Sequence, residues 1–175
     1  MTQLIVIVGP NGVGKSTTAM KIKDQYSGSA FVDSDWCRVM NPFPLTDITK
    51  ETVIKNMYCL LRNYLLCEEI NTIIFTYSWH GGRKELYDKV ITLLRNDGIE
   101  FKENIIILKC SEPENRKRAL ADNRDIERVE RGMQNTFSFY DELEYPCINT
   151  TNMTVSEAAE RVWSEVYSNC NDPNC

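Results

Sequence analysis

A parallel α/β sheet with helices on both faces is the fold class this sequence predicts. Three observations point to it. Short apolar runs without polar alternation, the mark of strands buried on both faces, alternate along the chain with amphipathic helical stretches. The first such run, LIVIV, leads straight into a glycine-rich turn and then a helix. The 175 residues suit a single domain with one core.

The elements follow in order. Leu4 to Val8 reads as the first buried strand and Lys15 to Gln25 as the helix after it. Ala30 to Val32 is a second short strand, closed by Asp33-Ser34-Asp35, and the proline-punctuated MNPFPLTD is loop. From about Lys50 to Glu69 the pattern is helical, with Ile54, Met57, Tyr58, Leu61 and Leu65 on one face. Thr72 to Tyr77 is a third strand, and Arg83 to Arg95 a helix stopped near Asp97-Gly98. Asn104 to Cys110 is a fourth strand, and Ser111 with Glu114 forms a capping box for the next helix. Tyr145 to Asn149 is a fifth, weaker strand. Thr154 with Glu157 caps a last helix striped by Val155, Ala158, Ala159, Val162 and Val166. The expected domain runs over 1–169, with 170–175 a polar tail.

Gly9-Pro10-Asn11-Gly12-Val13-Gly14-Lys15-Ser16, followed by Thr17, matches GxxxxGK[ST] in full, and it lies between a strand and a helix as the mechanism requires. Backbone N–H groups must turn inward around a phosphate, so glycine is favoured where side chains would obstruct. The helix N-terminus adds partial positive charge. Lys15 is expected to reach the β- and γ-phosphates and Ser16 to ligate Mg²⁺.

Composition narrows the function. The net charge of −5 argues against a nucleic-acid partner. No apolar run approaches the roughly 20 residues of a membrane span, and the opening strand lacks the basic start of a signal peptide. The expected compartment is the cytoplasm. The seven cysteines include no CxxC and accompany a single histidine, so zinc is disfavoured. Cys37, Cys59, Cys67, Cys110 and Cys147 are expected as buried reduced thiols. The loop resembles that of transporter ATPases, but no LSGGQ-like stretch and no acidic pair after the third strand accompany it. The NKxD motif of GTPases is missing as well.

Two further features carry chemistry. In Phe31-Val32-Asp33-Ser34-Asp35-Trp36-Cys37-Arg38 two carboxylates alternate just past the second strand. With no acid ending the third strand, Asp33 is the candidate for a Mg²⁺-bound water, and Asp35 for orienting or deprotonating an acceptor hydroxyl. The bland alternative is a helix-capping pair. After the fourth strand come Arg116, Arg118, Arg124, Arg128 and Arg131. On a mobile lid over about 116–131 they would close on the transferring phosphoryl group, Arg124 foremost. Interleaved acids make a solvated helix the competing reading.

GPNGVGKST, FVDSD, SEPENRKRALADNRD and INTTNMTVSEAAERV together resemble the small P-loop kinases of the nucleoside-monophosphate-kinase-like group, which includes shikimate, gluconate and antibiotic-phosphorylating kinases. The resemblance implies a three-layer fold around a five-stranded parallel sheet of order 2-3-1-4-5, Mg-ATP as donor and an arginine-bearing lid that closes. It names no acceptor. SWHGG stands where shikimate kinases carry a triple glycine, and the lid zinc cysteines of some adenylate kinases are missing.

The acceptor is expected beyond the ends of strands two and three, against Asp35, Trp36, Arg38, Trp79, His80 and Arg83. Trp36 and Trp79 are expected to border one crevice, with Phe43 and Tyr77 near. An aromatic wall suits a base or other flat ring, and Arg38 or Arg83 an anionic group. The expected activity is transfer of the γ-phosphoryl group of ATP to a nucleoside, a nucleotide or a similar hydroxylated metabolite. The rival is a nucleotide-binding switch with weak hydrolysis. The expected partners are ATP and the acceptor, without nucleic acid or membrane, in a monomer or homodimer.

Overall fold

The computed structural model of the chain describes residues 1–42, 44, 46–122 and 126–168. Its elements in chain order are β1 (Thr2–Val8), α1 (Lys15–Gln25), β2 (Ser29–Asp33), a 3₁₀ segment (Ser34–Arg38) and α2 (Asp47–Leu65). Then follow β3 (Thr72–Tyr77), α3 (Arg83–Asn96), β4 (Phe101–Lys109), α4 (Glu112–Ala121), α5 (Ile126–Asp141), β5 (Cys147–Asn149) and α6 (Val155–Tyr167). The five strands form one parallel sheet in the order β2-β3-β1-β4-β5.

Every residue of β1 from Leu4 to Val8 is fully buried, because the strand is central and covered on both faces. The sheet separates two cores. Leu4, Val6 and Val8 point with Phe75, Tyr77, Met57, Leu61, Tyr87 and Tyr140 toward α2, α3 and α5. Ile5 and Ile7 point with Phe31, Ile74, Ala159 and Val162 toward α1 and α6. The α2 stripe is buried at Val53, Met57, Leu61 and Leu65, with Ile54 and Tyr58 half-buried at its margin.

Thr154 and Glu157 make the reciprocal capping box. Ser111 makes only its half, accepting from Glu114 N–H, because the Glu114 carboxylate is held by Arg118 at 2.8 Å. β4 begins three residues before its predicted start, since Phe101 to Glu103 still pair with Thr2 to Leu4 of β1. Of the five cysteines expected to be buried, Cys37 and Cys110 are; Cys59, Cys67 and Cys147 are exposed, and all five are free. The tail 170–175 and Phe43 lie outside the described residues. Among the described residues no helix is long and apolar enough to cross a membrane.

Candidate phosphoryl-transfer site

The sheet delivers its chemistry to the carboxyl ends of β1, β2 and β3. The turn after β1 leaves no choice at its first residue. Gly9 has φ 151°, and a Cβ there would stand 2.3 Å from the Leu108 carbonyl oxygen of β4. Gly14 caps α1 at φ 100° and offers no side chain to cap the first-turn N–H groups. Lys15 Nζ folds back and donates to the carbonyls of Gly9 at 2.9 Å and Pro10 at 3.0 Å. The loop is braced by Ser78 Oγ, which donates to Asn11 Oδ1 at 3.1 Å, and by Asn115 Nδ2, which donates to the Asn11 carbonyl at 3.0 Å.

The loop forms the floor of a cleft of about 480 Å³. One end is lined by Arg118, Thr150, Met153 and Ala158, the other by Asp33, Asp35, Thr76 and Tyr77, with residues 11–18 between. Ser16 Oγ donates to Asp33 Oδ2 at 2.6 Å, and Asp33 Oδ1 accepts from the Asp35 N–H at 2.9 Å. One carboxylate therefore both caps the 3₁₀ segment and meets the loop hydroxyl, so the two readings of Asp33 are compatible. A hydroxyl and a carboxylate in contact at the phosphate end suit a hard oxygen-seeking cation. Among the described residues no cluster of three or more His, Cys, Asp or Glu could hold a metal. A Mg²⁺ here would take most of its ligands from phosphate and water.

Asp35 is exposed, lines the cleft and is ion-paired with Arg38. Arg83 opens α3, is half-buried, and donates from Nη1 to His80 Nε2 at 3.1 Å. Burial, followed by the charges of Arg83, Lys15 and Arg38, pushes His80 down to about 4, so the ring is neutral at pH 7. Burial pushes Tyr77 up to about 12, against the nearby Arg38 and Arg83 charges.

The shared tryptophan crevice is not formed. Trp36 is 56% exposed and packs edge-on to Phe31, centroids 5.2 Å apart, on the α1/α6 side of the sheet. Trp79 is 1% exposed and belongs to the opposite core, 5.3 Å from Tyr87 and 5.6 Å from Tyr145. Neighbouring strand ends do not ensure neighbouring side chains when the sheet lies between them.

Arg118 is no free lid arginine either. It donates to the Val13 carbonyl (3.1 Å), the Thr150 hydroxyl (3.0 Å) and the Thr150 carbonyl (2.8 Å). It thus ties α4 to the phosphate loop and to the turn after β5. Arg116 pairs with Glu130 of α5 at 3.3 Å. Arg124 and the side chains of Arg128 and Arg131 lie outside the described residues.

Residues that sequence reasoning missed are Thr76, Thr150 and Tyr140. Thr76 sits opposite Asp33 in register, and its buried hydroxyl has no hydrogen-bond partner among the described residues. Tyr140, fully buried, accepts from the Trp79 N–H at 2.9 Å. Burial pushes it up to about 12, against the backbone N–H groups of Trp79, Gly9 and His80. Nothing in FSFYDE distinguishes that tyrosine from a packing residue.

This arrangement of sheet, loop and flanking helices is the P-loop kinase fold. No protein-family model matches the chain, and no curated protein sequence does. Solved structures do. The tunicamycin resistance protein of Deinococcus radiodurans is similar over 95% of this chain and 96% of its own, with TM-score 0.66 and 19% identity. Shikimate kinase from Acinetobacter baumannii, in complex with shikimate, matches over 98% and 96%, with TM-score 0.65 and 17% identity. A gluconokinase from Sinorhizobium meliloti 1021 matches over 97% and 98%, with TM-score 0.62 and 14% identity.

Proposed function

We propose that the chain is an ATP-dependent phosphotransferase, a small-molecule kinase acting on the hydroxyl of a nucleoside, a nucleotide or a similar metabolite. The observation that carries this reading is the extent of the cleft. It continues past the phosphate loop to Asp33, Asp35 and Tyr77, where a second molecule would meet a bound γ-phosphate. A switch needs only the nucleotide end. The kinases among the structural neighbours support the reading at the level of fold.

The donor end would take the base between the Arg118 side and Met153 and Ala158, with the phosphates on the loop. Lys15 would leave the Gly9 and Pro10 carbonyls for the β- and γ-phosphates. Ser16 and Asp33 would hold Mg²⁺, which supplies charge neutralisation when bound. Asp35 faces the acceptor as orienter or proton acceptor. The acceptor oxygen forms a bond to γ-phosphorus as the bond to the ADP oxygen breaks. The hydroxyl proton passes to Asp35 or water. The lid reading of Arg124, Arg128 and Arg131 extends this proposal, as does a cytoplasmic setting.

The test is incubation with Mg-ATP and a pool of hydroxylated metabolites, followed by mass detection of a phosphorylated product. Slow hydrolysis indifferent to the pool would instead mark a switch. Lys15→Ala is the control. Transfer falls at least a hundredfold, as for a group contributing about 3 kcal/mol to the transition state. Stability falls by about 1–2 kcal/mol for the two loop hydrogen bonds lost. Wild-type turnover in this variant would refute the assignment of the loop.

A further inference from the structure

We propose that Tyr140 is a positioning residue of the phosphate loop: its buried hydroxyl, delivered by α5, fixes the first peptide of the loop to the turn that follows β3. The inference rests on the proposed nucleotide binding only for what the loop holds.

Tyr140 stands one residue before the end of α5 and is fully buried. That end of the helix is pinned. The neighbouring Asp141 accepts from Lys109 Nζ of β4 at 2.5 Å, and Phe139 packs edge-on to the Tyr140 ring, centroids 5.1 Å apart. The ring belongs to the same core as Val8, Tyr77 and Trp79, at the carboxyl ends of β1 and β3. A side chain held in this way is a fixed post on which other segments can be hung.

Its oxygen gathers backbone groups from two of those segments. It accepts from the Trp79 N–H at 2.9 Å, and the N–H groups of Gly9 and His80 face it as well. Gly9 opens the phosphate loop, and Trp79 and His80 follow β3. Buried N–H groups in folded proteins are nearly always paired, and here the oxygen that meets them comes from a third element. Packing alone does not call for that oxygen, since a phenylalanine ring would fill the same space.

The Gly9 peptide shows what the post is for. Its carbonyl accepts from Lys15 Nζ at 2.9 Å, a hold that is given up when the lysine turns to phosphate. The contact on the N–H side does not depend on Lys15 and stays in place. Two residues further on, Ser78 Oγ braces Asn11 from the same turn at 3.1 Å, and the Trp79 carbonyl of that turn is held by the Lys84 N–H at 3.2 Å. The loop is therefore tied to one rigid turn at both Gly9 and Asn11. A phosphate then meets a loop already in shape, and its binding has less to order.

The test compares wild type with Tyr140→Phe and with Val90→Ala, a truncation in the same core on α3 that touches neither the loop nor the turn. Hydrogen exchange of the Gly9 amide is followed by NMR without ligand, and binding of a non-hydrolysable Mg-ATP analogue by calorimetry. In wild type the Gly9 amide is expected to exchange slowly; exchange as fast as in an exposed peptide would overturn the proposal before any variant is made. Tyr140→Phe is expected to exchange Gly9 about tenfold faster and to bind the analogue about five- to tenfold more weakly, as for a buried N–H left without its acceptor. The KM for ATP rises by the same factor, while kcat and the acceptor KM hold. Val90→Ala is expected to melt at a lower temperature with Gly9 exchange and analogue affinity both unchanged. Wild-type exchange and affinity in Tyr140→Phe would overturn the proposal, and so would equal losses in Val90→Ala, which would reduce Tyr140 to a contributor to stability. Failure of the wild-type protein to bind the analogue would sink the nucleotide reading, and Gly9 exchange would still decide whether Tyr140 anchors the loop.

Discussion

Replacing Arg118 by Met keeps the aliphatic stem and removes the guanidinium. Three hydrogen bonds disappear, to the Val13 carbonyl, the Thr150 hydroxyl and the Thr150 carbonyl. The Thr150 hydroxyl keeps a partner, since it also donates to the Lys109 carbonyl at 3.1 Å. The Val13 and Thr150 carbonyls lose a charged donor. Thr150 is 2% exposed and the Arg118 side chain 25%, so water replaces the guanidinium only in part. A hydrogen bond to a charged group contributes about 1.5–3 kcal/mol, and an abandoned buried acceptor costs about 1–3. Non-additivity and partial solvation bring the expected loss to about 2–4 kcal/mol. The exposed pair with Glu114 is left out of the count. For a domain of this size the loss is a fall of about 5–15 °C in Tm. Thermal unfolding measures it. Because Val13 and Thr150 line the cleft, the KM for ATP is expected to rise several-fold with a smaller change in kcat. If the melting temperature is unchanged and kcat alone falls a hundredfold, Arg118 swings onto the phosphoryl group and the buttress is wrong.

Asp33→Asn is expected to move activity to higher Mg²⁺ and, through the weakened cap of the 3₁₀ segment, to lower stability by about 1 kcal/mol. Asp35→Asn leaves ATP binding near wild type and lowers transfer; a metal titration set beside acceptor kinetics separates the two, and thermal loss with intact kinetics in both would leave only capping. Trp79→Phe removes packing between Tyr87 and Tyr145, so Tm falls by the equivalent of about 1–3 kcal/mol while both KM values hold; a raised acceptor KM at unchanged Tm would contradict its burial. The depressed His80 pKa has a definite sign in the pH dependence of stability. Between about 4 and the unfolded value of 6.5 the unfolded chain binds more protons, so this stabilisation is complete above pH 6.5 and is lost as pH falls toward 4. Full conversion of the shift would be about 3 kcal/mol, and solvent screening of the half-exposed ring reduces it to about 1–2. Urea unfolding of wild type against His80→Gln between pH 4 and 7 isolates the effect from the carboxylates, and a pH-independent difference would contradict it.

The phosphate loop was legible because its physics is local. Backbone N–H groups from consecutive residues surround one phosphate, so the requirement is written in consecutive letters, and Gly9 shows how little latitude remains. The sheet was legible for a related reason: strands buried on both faces must be apolar throughout, and a parallel sheet needs a helix between strands. The strand order came instead from the resemblance, since periodicity does not say which strand pairs with which. Beyond the strand ends the sequence alone could not decide. Trp36 and Trp79 each follow a strand by a few residues, but which face a side chain takes there depends on the local turn. The 3₁₀ segment lays Trp36 on Phe31, whereas the turn before α3 drives Trp79 under Tyr87. The arginines of α4 pose the same problem. Asn115, Arg118 and Ala119 share the helix face packed toward the phosphate loop, while Arg116 turns to α5. Helical spacing ranks all these positions alike, and only tertiary packing selects the face that meets the loop. The His80–Arg83 contact belongs to the same class. Two residues three apart at the start of a helix can meet or miss, and burial, with Arg83 and the sequence-distant Lys15 and Arg38 charges, decides that the ring stays neutral.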